Sequence, residues 1–347
     1  MTPLDSPTAQ ARTAGDDLVR RLPDARPSLA LLHREMERRW PAGLPDVDRI
    51  SRYALLPAGK LLRPLLVTES AAAVGGDPEQ AVSAALGVEY LHVGSLVHDD
   101  VIDGDATRRG RPSVAAHFGT ADAIVTGDAL IFDAVQAAAG CTRDRLPAET
   151  LLSVVRTLAG AGIELCRGQT LEAELCGDTE CGMERYLRMI ALKTGALFRA
   201  ACRIGALLGG ATARQADALE QFAAHCGLAF QMSDDLLPHT GDGTASGKPP
   251  LSDAANGRPT FPVLLAHELA GPAERRRLAA ALASGTPAAE AQRTVREVLE
   301  TTGALRAARE RVQSEAASAE NSLSVLAPSR SRNVLAGVAR MSVDRDR

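Results

Sequence analysis

The amino-acid sequence predicts an all-α protein organised as a single domain, on three observations. Alanine and leucine crowd nearly every segment while aromatic residues are only 3% of the chain, a balance that favours helices over strands, which draw on aromatic and β-branched side chains. Apolar residues recur at helical spacing over long stretches. The connections between those stretches are short with one exception, so 347 residues that are 45% hydrophobic read as one large core.

Residues 1–23, rich in Ser, Thr, Asp and Pro without a sustained apolar period, are expected to be mobile and to lie outside the domain. From Ser28 the apolar period returns. Asp77, Pro78 and Glu79 supply a cap, a first-turn proline and a first-turn acid for a long central helix running through His98. Further helices are expected over about 121–140, 148–176, 183–209 and 212–237. The stretch from Pro238 to Pro259 is the exception, dense in Gly, Pro, Ser and Asp and followed at once by helical pattern from Phe261. It reads as a lid-like loop inside the domain. The domain then covers 24–328, and the polar stretch 329–347, basic at its end, is expected to fray.

A formal net charge of −4, with 24% charged residues of both signs, leaves no basic footprint for nucleic acid or an anionic membrane. The six cysteines, at 141, 166, 176, 181, 202 and 226, contain no CxxC pair, and nothing at the start resembles a signal peptide. Neither a zinc cage nor a disulfide framework is expected, and the thiols should be reduced and mostly buried. Arg, Asp or Gln interrupts every apolar stretch before the roughly 18 residues that a membrane span requires. A soluble, cytoplasmic protein is the expectation.

The chemistry concentrates at helix ends. His98-Asp99-Asp100-Val101-Ile102-Asp103 closes a long apolar helix with three carboxylates, and Asp99 and Asp103, four apart, share one face. Like charges so close call for a cation between them, and oxygen-only ligands of this kind suit Mg²⁺ bridged to a diphosphate. Taken alone, such a cluster is more often a solvated helix end. A second acidic pair, Asp234-Asp235, ends another apolar helix. Around the two lie cations of the type that grips phosphate: Lys60, Arg63, Arg108, Arg109, Lys193, Lys248 and Arg258.

The ordered set GKLLRP (59–64), EYLHVGSLVHDDVID (89–103), TRRGRPS (107–113), TGD (126–128), GQTLE (168–172), KTGALF (193–198), FQMSDD (230–235) and GKP (247–249) closely resembles the trans-isoprenyl diphosphate synthases, the polyprenyl synthetases. The resemblance implies a single-domain helical bundle around a deep central cavity, a homodimer, and transfer of an allylic group to isopentenyl diphosphate. It implies that Asp99, Asp100 and Asp103 bind two Mg²⁺ and Asp234 a third, with Gln231 in support. The allylic diphosphate would meet Arg108, Lys193 and Lys248, with Thr194, Gln231 and Arg258 nearby; isopentenyl diphosphate would sit on Lys60, Arg63, His92 and Arg109.

Departures from the family pattern are confined to a few positions. The second motif ends in Pro238 instead of a third acid, and proline there should kink or stop the helix. Glu172 stands where Asp is usual, Leu61 where a basic residue is common, and Arg258 where lysine is usual. Class I terpene cyclases share the fold but bind one diphosphate; a synthase with a non-standard acceptor and a regulatory subunit are further alternatives. In the family, bulky residues about one turn before the first motif stop chain growth. Gly94 and Ser95 occupy those positions, so an open tunnel and a product of at least twenty carbons, geranylgeranyl diphosphate or longer, are expected. A deeper layer at Ile124, Phe132 or Cys166 could close it again.

Overall fold

Capping and proline placement set most of the helix boundaries. The computed structural model describes residues 14–141, 146–240, 257–283 and 285–343. The chain opens with α1 (Ala14–Arg21), α2 (Arg26–Arg39), α3 (Asp46–Leu55) and α4 (Leu62–Ala73). The long α5 (Pro78–Asp103) follows: the Asp77 side chain accepts the Glu79 N–H, Pro78 takes the first turn, and Gly104, left-handed at φ 67°, ends it. A two-stranded hairpin comes next, β1 (Thr107–Arg108) with β2 (Arg111–Pro112). Its two turn residues, Arg109 (φ 53°) and Gly110 (φ 75°), both have positive φ, as tight hairpin turns require.

Helices then run as α6 (Val114–Phe118), α7 (Thr120–Ala139), α8 (Ala148–Leu175), α9 (Gly182–Ile190), α10 (Ala196–Leu208) and α11 (Ala213–Thr240). After the segment 241–256 they continue as α12 (Phe261–Leu269), α13 (Pro272–Leu282), α14 (Ala288–Thr302), α15 (Ala304–Ser322) and α16 (Arg330–Val343). The fold is all-α, as expected. Helix α5 sits in the middle, packed on α4, α7 and α10, and a second group, α11 with α15 and α16, closes the other side.

Four expectations are corrected. The N-terminal stretch is not wholly outside the fold: from residue 14 it is helical, and Leu18, 1% exposed, belongs to the main core. The C-terminal stretch does not fray over 330–343, where α16 buries Val334, Leu335, Val338 and Ala339 in that core. The helical segment expected over 183–209 is present from 182 to 208, with a π turn at Ala191–Gly195 between α9 and α10 that was not foreseen. Pro238 does not stop α11, which runs on to Thr240; it costs one backbone bond near the end, while buried Leu236 and Asp235 keep that turn docked. The cysteines are all free, but only Cys141, Cys202 and Cys226 are buried. Most of the expected 238–259 loop lies outside the described residues.

Candidate active site

The end of α5 and the hairpin form one wall. Asp99 and Asp103 are partly exposed, one helical turn apart, whereas Asp100 is 3% exposed. Arg108 turns back onto Asp100, with Nε donating to Oδ1 at 2.7 Å and Nη2 donating to the same oxygen, and it also reaches Asp105 at 3.2 Å. Asp103 pairs with Arg258 at 2.7 Å. Arg108 ends β1 while Arg109 begins the turn with positive φ, and the hairpin sends its two arginines apart. Arg108 goes to the carboxylates, and Arg109 lies against Gly59, where an added β-carbon would sit 2.7 Å from Nη2.

The facing wall is built by α8, the π turn and α11. Lys193, on the π turn, donates to Glu172 of α8, and Arg258 stands 3.8 Å from the same carboxylate. A π turn leaves a carbonyl misaligned with the helix ladder; here Arg199 Nη1 donates to the Ala191 carbonyl at 3.0 Å. Helix α8 can approach so closely only because residue 168 is glycine: a β-carbon there would collide with the Lys193 backbone nitrogen. Thr194 Oγ1 donates to Gln231 Oε1 at 2.7 Å, and Gln231 Nε2 donates to Asp235 at 2.9 Å. Gln231 therefore serves Thr194 and Asp235 at its two ends.

A third group of side chains is more positive, with Arg63 and His92 partly buried and Arg109 exposed. Arg63, on the first turn of α4, lies 3.1 Å from His92 Nε2 through Nη1 and stacks over the Phe198 ring at 5.2 Å. Burial lowers the Arg63 pKa to about 10, Glu89 opposes the shift, and Arg109 adds to it. Burial, then Arg63, Arg109 and Arg108, hold the His92 imidazole well below its ordinary value. Burial raises the Glu89 carboxyl, against the pull of Arg109 and Arg63. Cations that depress one another in a partly buried pocket describe a place suited to an anion. Leu61, before α4, has a left-handed backbone (φ 50°) and a buried side chain; the residue at this position faces the core, so no cation is missing from the pocket.

Residues 45–301 match the family model described as polyprenyl synthetase. The chain belongs to the polyprenyl synthetase family. A short chain isoprenyl diphosphate synthase of Methanothermobacter thermautotrophicus is 36% identical over 86% of this chain and 90% of its own. The octaprenyl diphosphate synthase of Escherichia coli is 31% identical over 87% and 90%. The crystal structure of geranylgeranyl pyrophosphate synthetase from Pyrococcus horikoshii superposes with a TM-score of 0.83 at 31% identity, over 94% of this chain and 99% of that one. These relatives are transferases, and so is this member of the family.

Within the polyprenyl synthetase frame, several site residues expected from sequence are drawn together: Asp100 with Arg108, Asp103 with Arg258, Thr194 with Gln231, and Arg63 with His92. Lys248 lies outside the described residues. Gly94 is not a tunnel floor. It marks the crossing of α5 and α7, where an added β-carbon would come 3.0 Å from the Gly127 carbonyl oxygen and 3.2 Å from Leu130 Cβ. The deeper layer is corrected as well, since Ile124, Cys166 and above all Phe132, 74% exposed, face outward from this chain. Sequence reading missed Glu89, Tyr186 and Asp235 as members of the site. Glu89 and Asp235 were visible inside the quoted motifs, but nothing in the sequence singles out Tyr186.

Proposed function

We propose that the chain condenses isopentenyl diphosphate with an allylic diphosphate to give a prenyl diphosphate of twenty or more carbons. What carries this is the presence of two distinct cation sets, one interleaved with the aspartate-motif carboxylates and Glu172 (Arg108, Lys193, Arg258) and one set apart from them with the buried Glu89 beside it (Arg63, His92, Arg109). A cyclase that ionises a single diphosphate has use for only the first. The allylic diphosphate would take Arg108, Lys193, Thr194, Lys248 and Arg258, and isopentenyl diphosphate would take Lys60, Arg63, His92 and Arg109.

The donor chemistry fits Mg²⁺ that enters with its diphosphate. Among the described residues no three His, Cys, Asp or Glu side chains converge closely enough to hold an ion, and Mg²⁺ ordinarily takes one or two carboxylates plus phosphate oxygens. Asp99, Asp103 and Asp234 would hold three ions, with Asp100 contributing once Arg108 shifts to the diphosphate. When bound, the metal would neutralise charge developing on the departing diphosphate. The residues then bind and orient: the allylic C–O bond breaks with its electron pair leaving on diphosphate, and the double bond of isopentenyl diphosphate attacks the freed carbon. The proton lost from the new adduct passes to the leaving diphosphate. Apolar side chains keep water from the cation.

The product length rests on Ser95, which lies three residues from His92 and four from Asp99 and so shares their side of α5. Its hydroxyl donates to the His92 carbonyl at 2.8 Å, leaving a small, satisfied surface. Incubation with isopentenyl diphosphate and each allylic starter should give elongated diphosphates of at least twenty carbons, and Ser95→Phe should shorten them by one or more five-carbon units. A wild type that stops at fifteen carbons overturns the length. Hydrocarbon products favour the cyclase, and no elongation favours another acceptor. We also propose a homodimer through α7 and α8. Val125 and Phe132, seven residues apart on α7, and Leu152 and Ile163 on α8 are exposed apolar side chains. Sedimentation that gives a monomer would remove this part.

A further inference from the structure

We infer that Asp235 and Tyr186 are positioning residues for the allylic half of the site, Asp235 acting by holding its neighbours instead of binding metal; this rests on the function proposed above. Asp235 is 8% exposed and accepts hydrogen bonds at both carboxylate oxygens. Oδ2 accepts from the Tyr186 hydroxyl at 2.7 Å and from the Phe261 backbone N–H at 2.9 Å, and Oδ1 accepts from Gln231 Nε2 at 2.9 Å. At least three of the roughly four lone-pair sites of a carboxylate are thus taken by donors, from three elements.

Each donor leads to a group that the reaction uses. Gln231 passes the constraint to Thr194 at 2.7 Å and so to the π turn that carries Lys193. Phe261 is the first residue of α12, and Asp235 serves there in place of a local cap, because the N-cap residue Thr260 makes no side-chain capping bond. Three residues earlier on the same segment, Arg258 reaches Asp103 at 2.7 Å. Tyr186, 1% exposed on α9, stacks on Phe261 with ring centroids 6.1 Å apart. Asp234 precedes Asp235 on α11, so its direction follows from the rotation that these bonds fix. Asparagine at 235 would turn an NH₂ group toward one of these donors, so its carboxylate is needed for more than size.

Tyr186→Phe tests this by removing one hydroxyl without changing shape. Loss of one buried hydrogen bond to a charged group corresponds to about a tenfold effect. The variant should show kcat lowered about tenfold and a raised KM for the allylic diphosphate, while the KM for isopentenyl diphosphate moves by less than about twofold. Calorimetric binding of inorganic diphosphate with Mg²⁺ should weaken by about tenfold. Asp235→Asn should act in the same direction, and adding Tyr186→Phe to it should cost little more, since both break one network. A Tyr186→Phe protein that melts earlier yet binds diphosphate and turns over like wild type overturns the inference, as does a variant in which only the isopentenyl KM moves. Should the wild type elongate no starter, the proposed function fails, while the diphosphate-binding comparison still decides the role of Tyr186 and Asp235.

Discussion

His92 is kept neutral by its surroundings, and that has a measurable sign. Its Nε2 accepts from Arg63, which places the ring proton on Nδ1, and burial with three nearby guanidiniums holds its pKa well below the ordinary value. An unfolded chain takes up a proton at this histidine below about pH 6.5, whereas the folded chain refuses it until the pH is far lower. Stability is therefore lost as the pH falls through and below that value, with a slope of up to about 1.4 kcal/mol per pH unit. His92→Gln keeps an acceptor for Arg63 and does not titrate, so its denaturant stability should fall less than that of wild type between pH 6.5 and 5.5. Parallel curves would show that His92 is not the neutral acceptor described. A second residue-scale expectation concerns α11. Because the helix continues past Pro238, Pro238→Asp would set an acid one turn beyond Asp234 and should change turnover only modestly, while Asp234→Ala should nearly abolish it. Small, similar effects from both would mean that the second motif is dispensable.

Among the elements, the π turn at Ala191–Gly195 matters most, since it carries Lys193 and Thr194 and rests directly on Gly168. Gly168→Ala must push α8 and the turn apart. Overpacking of this kind costs about 1–3 kcal/mol, and the displaced Lys193 should raise the KM for the allylic substrate without moving that for isopentenyl diphosphate. Unchanged kinetics in a folded variant would mean that the turn adapts freely. The start of α5 was legible because Asp77, Pro78 and Glu79 announce it chemically. The π turn was not legible, because one extra residue barely disturbs the apolar period of an Ala/Leu-rich run. The site divides in the same way. Its charged ligand types stood in the motifs, but the partner each one takes, such as Arg258 for Asp103 across 155 positions of sequence, depends on packing that no local pattern encodes. Gly94 was misread for a related reason. Spacing along α5 places it near the motif, and only the crossing with α7 shows which way that position faces.

At the scale of the whole molecule, the C-terminal helix clasps α4. Glu69, 0% exposed, receives Arg330 Nη2 at 3.2 Å on each carboxylate oxygen and the Ser28 hydroxyl as well. The tail was misjudged because polar residues such as Arg332, Asn333 and Arg340 are interspersed with those that pack, and the clasp could not be seen without the fold. Arg330→Ala should cost about 2–3 kcal/mol in denaturant unfolding, less than the roughly 3–5 kcal/mol of a fully buried pair because the arginine is partly open to water. A loss below about 0.5 kcal/mol would class the contact with ordinary surface pairs. The two partners are 261 residues apart, and Arg63 stands on the same short helix as Glu69, fewer than two turns away. During synthesis on a ribosome, α4 emerges with a carboxylate that cannot be buried at low cost until Arg330 has followed, 261 residues later. The pocket around Arg63 is thus completed late, and the unfinished chain carries an unsettled first half that offers apolar helix faces to chaperones in the meantime.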